Sequence, residues 1–330
     1  MKSSPHWKSI GLHPHHGICL PLSSLRTKQS SGIGEFLDLL PLIEWCSDLG
    51  FDCLQLLPLN DTGYDPSFFN PISSCALNPI YLSLAALPNP CEDISPFTCY
   101  NALPRLAYKE VLQLKMEWLF RYFQKNYPLV AQTPDYLAFL SNNPWLNDYS
   151  AFKALKDTFH GVHWKHWPGL YGTLQADPTK VQFYSFLQFH CFLQMDTVQK
   201  MAAEAKIFLK GDMPILLSPD SADVWANPSL FRLDLAAGAP PDVYNLLGQK
   251  WGFPLYNWEA MRRSQFAWWA QRLAILARFY HIYRIDHVVG FFRIWAIPED
   301  KPAAEGSFIP SDPQLWAAQG KEILEKFLEL

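Results

Sequence analysis

The chain has 330 residues, 49% hydrophobic and 18% charged, which excludes disorder and leaves room for one large α/β domain or two ordinary ones. Lys plus Arg number 27 against 31 Asp plus Glu, a net charge of −4, and no basic run exceeds the Arg262-Arg263 pair, so a nucleic-acid partner is not expected. The N-terminus, MKSSPHWKSIGLHPHHG, lacks the apolar core of a signal peptide, and no apolar run approaches the ~18 residues of a membrane span. A cytoplasmic protein with no membrane partner is the expectation.

In chain order, the cluster His13, His15 and His16 comes first. It includes Pro14 and lacks the carboxylate or thiolate partners of a ligand set, so it reads as loop rather than metal site. GICLPLSSL follows as a strand, then a loop with Gly32 and Gly34. EFLDLLPLIEWCSDLG has Phe36, Leu39, Leu40 and Ile43 at helical spacing and Gly50 placed to end the helix. FDCLQLLPL suits a strand buried on both faces, and strand, helix, strand with short connections predicts a parallel βαβ unit. The next loop, NDTGYDPSFFNPISSCALNPIYL, leaves the carboxyl end of that strand, where parallel α/β proteins place ligands.

Residues from about 100 to 180 read as helical and aromatic, interrupted at SNNPW and HWPGLYGT. A long helix starts at VQFYSF, a third strand is LKGDMPILL, and the helix FAWWAQRLAILARFY leads into a fourth strand, HIYRIDHVVGF. The segment GAPPDVYNLLGQKWGFPLYNW between them reads as a rigid aromatic loop, with Trp258 and Tyr256 packing and Trp251 a candidate stacking platform. RIWAIPED and a Pro/Gly-punctuated loop lead to a last helix capped at Asp312 and Pro313, whose apolar face (Ile323, Leu324, Phe327, Leu328) has nothing after it to pack on. The predicted divisions are 1–100 (first βα units with a long active-site loop), 101–180 (a mainly helical insertion) and 181–330 (third and fourth βα units).

Seven cysteines, at 19, 46, 53, 75, 91, 99 and 191, form no C-x-x-C pair and mostly sit in apolar contexts, so they read as reduced and buried. Aromatics are 15% of the chain, with 13 Trp and 14 Tyr, which serves a core and also supplies flat surfaces for sugar rings.

Chemistry concentrates in YRIDHVVGFFRIWAIP. Strand alternation puts Arg284 and Asp286 on one face, where an arginine beside the aspartate would keep it anionic, as a glycosidase nucleophile must be. The plainer reading is a capping aspartate with a surface ion-pair partner. Alternation likewise pairs Lys210 with Asp212 at the end of the third strand, where GDMP also reads as a simple strand-to-loop turn.

Taken in order, GIGEFLDLLPLIEWCSDLGFDCLQLLPLNDTG, WLNDYSAFKALK, LKGDMPIL, GAPPDVYNLLGQKWGFPLYNW and RIDHVVGFFRIWAIP resemble the 4-α-glucanotransferases (amylomaltases, disproportionating enzymes) of glycoside hydrolase family 77, from about Gly11 to the last residue. The resemblance implies an α/β fold, a (β/α)8 TIM barrel with inserted subdomains, that passes α-1,4-glucan segments between maltooligosaccharides through a covalent glycosyl-enzyme. It implies that Asp286 is the nucleophile, Arg284 and His287 its donor-subsite neighbours, Asp212 the polar residue ending the third strand, and Trp251 an acceptor-side aromatic. Asn78 is a further candidate substrate contact. No cofactor or metal is implied.

Two departures stand out. Where the family has Ser-Pro-Tyr, this chain has SFFNP, so Phe69 can stack on a sugar but cannot offer a phenolic hydrogen bond. The family's Glu-Asp-Leu-Gly acid/base motif and later His-Asp motif are absent. The carboxylates after Asp286, at Glu299, Asp300, Glu305, Asp312, Glu322, Glu325 and Glu329, lie in loop or helix contexts. The expectation is therefore about four of eight barrel strands, a C-terminally truncated or split enzyme with little activity alone, and a complementing C-terminal fragment as its protein partner. The alternatives are a non-catalytic α-glucan-binding or assembly half and an α-amylase-type hydrolase.

Overall fold

The computed structural model describes residues 5–89 and 93–330. Among them are β1 (Gly17–Leu20), β2 (Cys53–Leu56), β3 (Phe208–Met213), β4 (Phe231–Ala239), β5 (Gln249–Tyr256), β6 (Ile282–Ile285), β7 (Ile294–Pro298) and β8 (Ser307–Ile309). The four strands expected from the sequence form a parallel sheet in the order β1-β2-β3-β6. Its register aligns Cys19 with Gln55, Gln55 with Lys210, and Asp212 with Arg284, so these side chains share one face. The other face carries Leu54, Leu56, Leu209 and Met213, all buried, each contributing about 1.5–3 kcal/mol. Among the described residues β1 and β6 pair on one side only.

Connections between these strands follow from local chemistry. The helix Leu39–Asp48 ends where Gly50 takes φ +77°. There the Gly50 N–H donates to Ser47 O at 3.0 Å and the Phe51 N–H to Cys46 O at 2.9 Å, which satisfies two terminal carbonyls and turns the chain into β2. The helix Pro178–Glu204 starts on Asp177, whose side chain accepts from the Thr179 N–H, with Pro178 in the first turn. It is apolar nearly all round, with Phe183, Phe186, Phe189 and Phe192 buried, because the helices Tyr108–Val130, Pro134–Asn142 and Trp145–Thr158 surround it. Their side chains join one continuous core with those beneath the sheet.

Two sequence expectations are corrected here. The segment read as an aromatic loop, and RIWAIP after it, form a second, antiparallel sheet in the order β5-β4-β7-β8. The Gly and Pro residues that suggested a loop instead serve the strands. A Cβ on Gly238 would lie 2.0 Å from Gln249 O, and Pro254 sits opposite Ala236 where the register shifts. The last helix, Trp316–Glu329, also has a partner: the Phe327 ring packs 4.6 Å from Trp269 and 5.3 Å from Phe291, and Ile323 is fully buried. Asp312 does cap the preceding turn, accepting from the Gln314 N–H. Tyr256 and Trp258 pack as expected, the latter stacked parallel to Trp269.

Of the cysteines, Cys46, Cys75 and Cys191 are buried, Cys53 is half-buried, and Cys19 and Cys99 are exposed, contrary to the expectation of general burial. Cys91 lies outside the described residues. No helix among the described residues is long and apolar enough to cross a membrane.

Candidate active site

Asp212 and Arg284 are cross-strand neighbours near the carboxyl ends of β3 and β6, and Asp286 follows immediately after β6. The Asp286 N–H donates to Met213 O at 3.1 Å, which carries the ladder one step beyond the strand and fixes the direction of its side chain. Arg284 then spans the two carboxylates. Its Nη1 donates to Asp212 Oδ1 and Oδ2 at 2.8 and 2.7 Å, and its Nη2 donates to Asp286 Oδ1 at 2.6 Å. A fork of this geometry needs a planar, multiply donating cation, which a lysine cannot supply.

Burial raises the Asp212 carboxyl above its ordinary value, a push that outweighs the lowering by Arg284. For Arg284 the balance reverses: burial disfavours the cation, but Asp212 and Asp286 together raise the guanidinium above its usual range. Burial lowers the His287 imidazole more than the neighbouring Asp286 raises it, so the ring is neutral near pH 7. His287 adopts φ +47°, a left-handed conformation costly for a side-chain-bearing residue, and its carbonyl accepts from the Gly290 N–H at 2.8 Å.

A pocket of about 260 Å³ opens beside these groups, lined by Phe69, Trp251, Phe253, Asp286, His287 and the stretch 214–216. Trp251 stands edge-on to His287 with ring centroids 5.0 Å apart, and its Nε1 donates to Gln249 Oε1 at 2.9 Å. Phe69 arrives on the loop after β2. That loop is tied to the chain after β3, where the Ser218 N–H donates to Pro71 O and the Ala222 N–H to Ile72 O. The structure thus gathers Phe69, Trp251, Asp286 and His287 around one cavity, with Arg284 and Asp212 behind the carboxylate.

Asn78 is not among them. It is buried, its side-chain oxygen accepts from the Ile80 N–H to cap the turn Pro79–Tyr81, and its amide donates to Tyr108 Oη at 3.0 Å. It borders a separate cavity of about 620 Å³ that includes Asp61, Tyr64, Lys153, Lys156, Asp157 and Asp220. The charges there are mutually paired: Lys153 with Asp61 at 3.0 Å, Lys156 with Asp220 at 2.6 Å.

Reading the sequence missed Phe253 and the 214–216 floor. Phe253 was accessible in principle, since it lies two residues from Trp251 on one strand and so shares its face.

Among the described residues lining the Asp286 pocket, Asp286 is the one carboxylate. Glu322 pairs with Arg262, Glu305 with Lys301, Glu325 with Lys321, Glu329 with Lys326 and Glu299 with Lys165, all at the surface.

The 4-alpha-glucanotransferase family profile matches residues 20–323. The 4-alpha-glucanotransferase of Chlamydia pneumoniae is 42% identical, over 98% of this chain and 64% of its own length. The amylomaltase of Corynebacterium glutamicum superposes with a TM-score of 0.81 at 25% identity, over 98% of this chain and 47% of that one. The amylomaltase of Streptococcus agalactiae, solved with acarbose, shares the fold with a TM-score of 0.82 at 24% identity, over 93% of this chain and 66% of that one. The chain therefore spans about 63–64% of the length of the chlamydial relatives it matches.

Proposed function

The chain belongs to the 4-alpha-glucanotransferase family, and from that premise we propose that it carries the nucleophile side of a retaining α-1,4-glucan transfer site. The observation that supports this is the Arg284 fork, which presents Asp286 to a pocket edged by Trp251 and Phe69. Arg284 occupies Asp286 Oδ1, leaving Oδ2 to attack the anomeric carbon of a donor glucan from the pocket side. Trp251 offers a flat apolar ring to one sugar and Phe69 to another, the latter without a polar handle.

A retaining mechanism also needs a second carboxyl about 5 to 5.5 Å from the nucleophile, to protonate the leaving oxygen and later deprotonate the acceptor hydroxyl. Asp212 is poorly suited, because both its oxygens are engaged by Arg284. With no other carboxylate lining the pocket among the described residues, these 330 residues alone should turn over maltotriose negligibly.

An activated donor separates nucleophile from acid. Fluoride leaves without protonation, so α-maltotriosyl fluoride should lose fluoride as its C1 bonds to Asp286 Oδ2, and the resulting ester should accumulate because no second carboxylate lining the pocket among the described residues activates water to release it. Intact-mass spectrometry should show one maltotriosyl adduct, absent in Asp286→Asn, and peptide mapping should place it on a peptide containing Asp286. No adduct on a chain that still binds maltoheptaose, with that binding lost in Trp251→Ala, would favour a glucan-binding module instead. Robust glucose release from maltotriose would overturn the inactivity of the isolated chain.

A further inference from the structure

At the amino end of the parallel sheet, opposite Asp286, the histidine cluster acquires a carboxylate that its own sequence neighbourhood lacks. His13, His15 and Asp52 each present one potential ligand atom, and these atoms lie within 4.8 Å of one another. The first two precede β1 and the third precedes β2. Pairing of Gly17 with Cys53 at the heads of those strands brings them side by side, and the Asp52 N–H donates to His16 O at 3.1 Å.

His13 already offers a lone pair, while His15 and Asp52 are hydrogen-bonded to each other, so an ion would take the place of the proton between them. His13 Nδ1 lies 3.1 Å from Pro14 O, which makes it the protonated nitrogen and leaves Nε2 with its lone pair. His15 Nδ1 lies 2.7 Å from Asp52 Oδ2, and its Nε2 points toward Gly11 O at 3.4 Å. The two rings sit 4.3 Å apart, and the other Asp52 oxygen is steadied by the His16 N–H at 2.9 Å. Gly11 turns over them at φ +101°, where a Cβ would come within 2.8 Å of His13 Nε2, so a side chain there would crowd the ring. Pro14, which argued against a site in the sequence, supplies the carbonyl that orients His13.

Two imidazoles and one carboxylate form a mixed nitrogen and oxygen donor set that suits Zn2+ and is too nitrogen-rich for Mg2+ or Ca2+. We infer that His13 Nε2, His15 Nδ1 and Asp52 Oδ2 bind one Zn2+, with a water completing a tetrahedron, and that the ion clips the segment before β1 to the head of β2. Ligand atoms around tetrahedral zinc stand about 3.3 Å apart, so small rotations of these partly exposed side chains close the site.

The test is isothermal titration calorimetry of the untagged chain with zinc chloride, together with zinc X-ray absorption on the loaded wild type. One equivalent should bind, at least 10-fold more weakly in His13→Ala, His15→Ala and Asp52→Asn, and within 2-fold of wild type in His16→Ala and Cys19→Ser. The absorption spectrum should show imidazole nitrogens at about 2.0–2.1 Å and no sulfur, a readout that does not depend on any variant folding. Absence of binding, binding that survives the His13→Ala, His15→Ala double variant, a sulfur shell, or equal competition by Mg2+ would each overturn the assignment.

Discussion

His190 should make the protein's stability fall on mild acidification. Its ring is 4% exposed and surrounded by Phe186 at 4.5 Å, Phe189 at 5.5 Å and Tyr122 at 5.9 Å, and its Nε2 has no hydrogen-bond partner among the described residues. Burial lowers its pKa to about 4, so the folded chain refuses a proton that the unfolded chain accepts near 6.5. Because the folded value is depressed, the contribution is fully present above pH 6.5 and is lost as pH falls toward 4. The linkage integral gives a loss of about 1.4 kcal/mol by pH 5.5 and about 3 kcal/mol by pH 4. Urea denaturation of wild type and His190→Leu, at matched pH values from 7.5 to 5, would read the difference directly. The variant should escape the acid loss, so the two stabilities should converge or cross on acidification. Parallel curves, or an NMR titration midpoint for His190 above 5.5, would refute the argument.

The remaining predictions also concern buried groups. Lys115 Nζ donates to Glu35 Oε1 at 2.5 Å, Ile80 O at 2.7 Å and Leu82 O at 2.8 Å, so Lys115→Met strands a carboxylate and two carbonyls, costing about 3–5 kcal/mol in urea denaturation. The Lys115→Met, Glu35→Leu double variant should lose less than the single one, and an equal or greater loss would show that the stranded charge is not the cause. Gly320 lies inside the last helix, where propensity alone favours Gly320→Ala by about 1 kcal/mol. A Cβ there would meet the Phe292 ring at 2.2 Å, so a net loss of about 1–3 kcal/mol is expected, and a raised melting temperature would contradict the packing.

What could be read in the sequence follows from the range over which each signal acts. The parallel strands announced themselves through short apolar runs and the cap at Gly50, and the alternation of Arg284 and Asp286 is a property of two neighbouring residues. The antiparallel sheet did not, because Gly238 and Pro254 look like loop residues until their partners, Gln249 O and Ala236, are known. Contacts spanning many residues were out of reach for the same reason. Nothing near His15 suggests Asp52, 37 positions away, and nothing near Asn78 shows that Tyr108 will hold it out of the pocket.

Arg284 shows how far the proposed site depends on register. Asp286 is steered by a guanidinium whose other carboxylate, Asp212, is buried on the adjacent strand, and the two strands meet with Asp212 opposite Arg284. A slip of one residue would move Arg284 or Asp212 to the helix-facing side and leave a buried charge without its counterpart. The position of Asp286, the proposed nucleophile, is thus built by β3 and β6 together. No second carboxylate among the described residues lines the pocket. The proposed attack by Asp286 can therefore be tested apart from proton transfer, and a donor that needs no acid is the decisive probe of it.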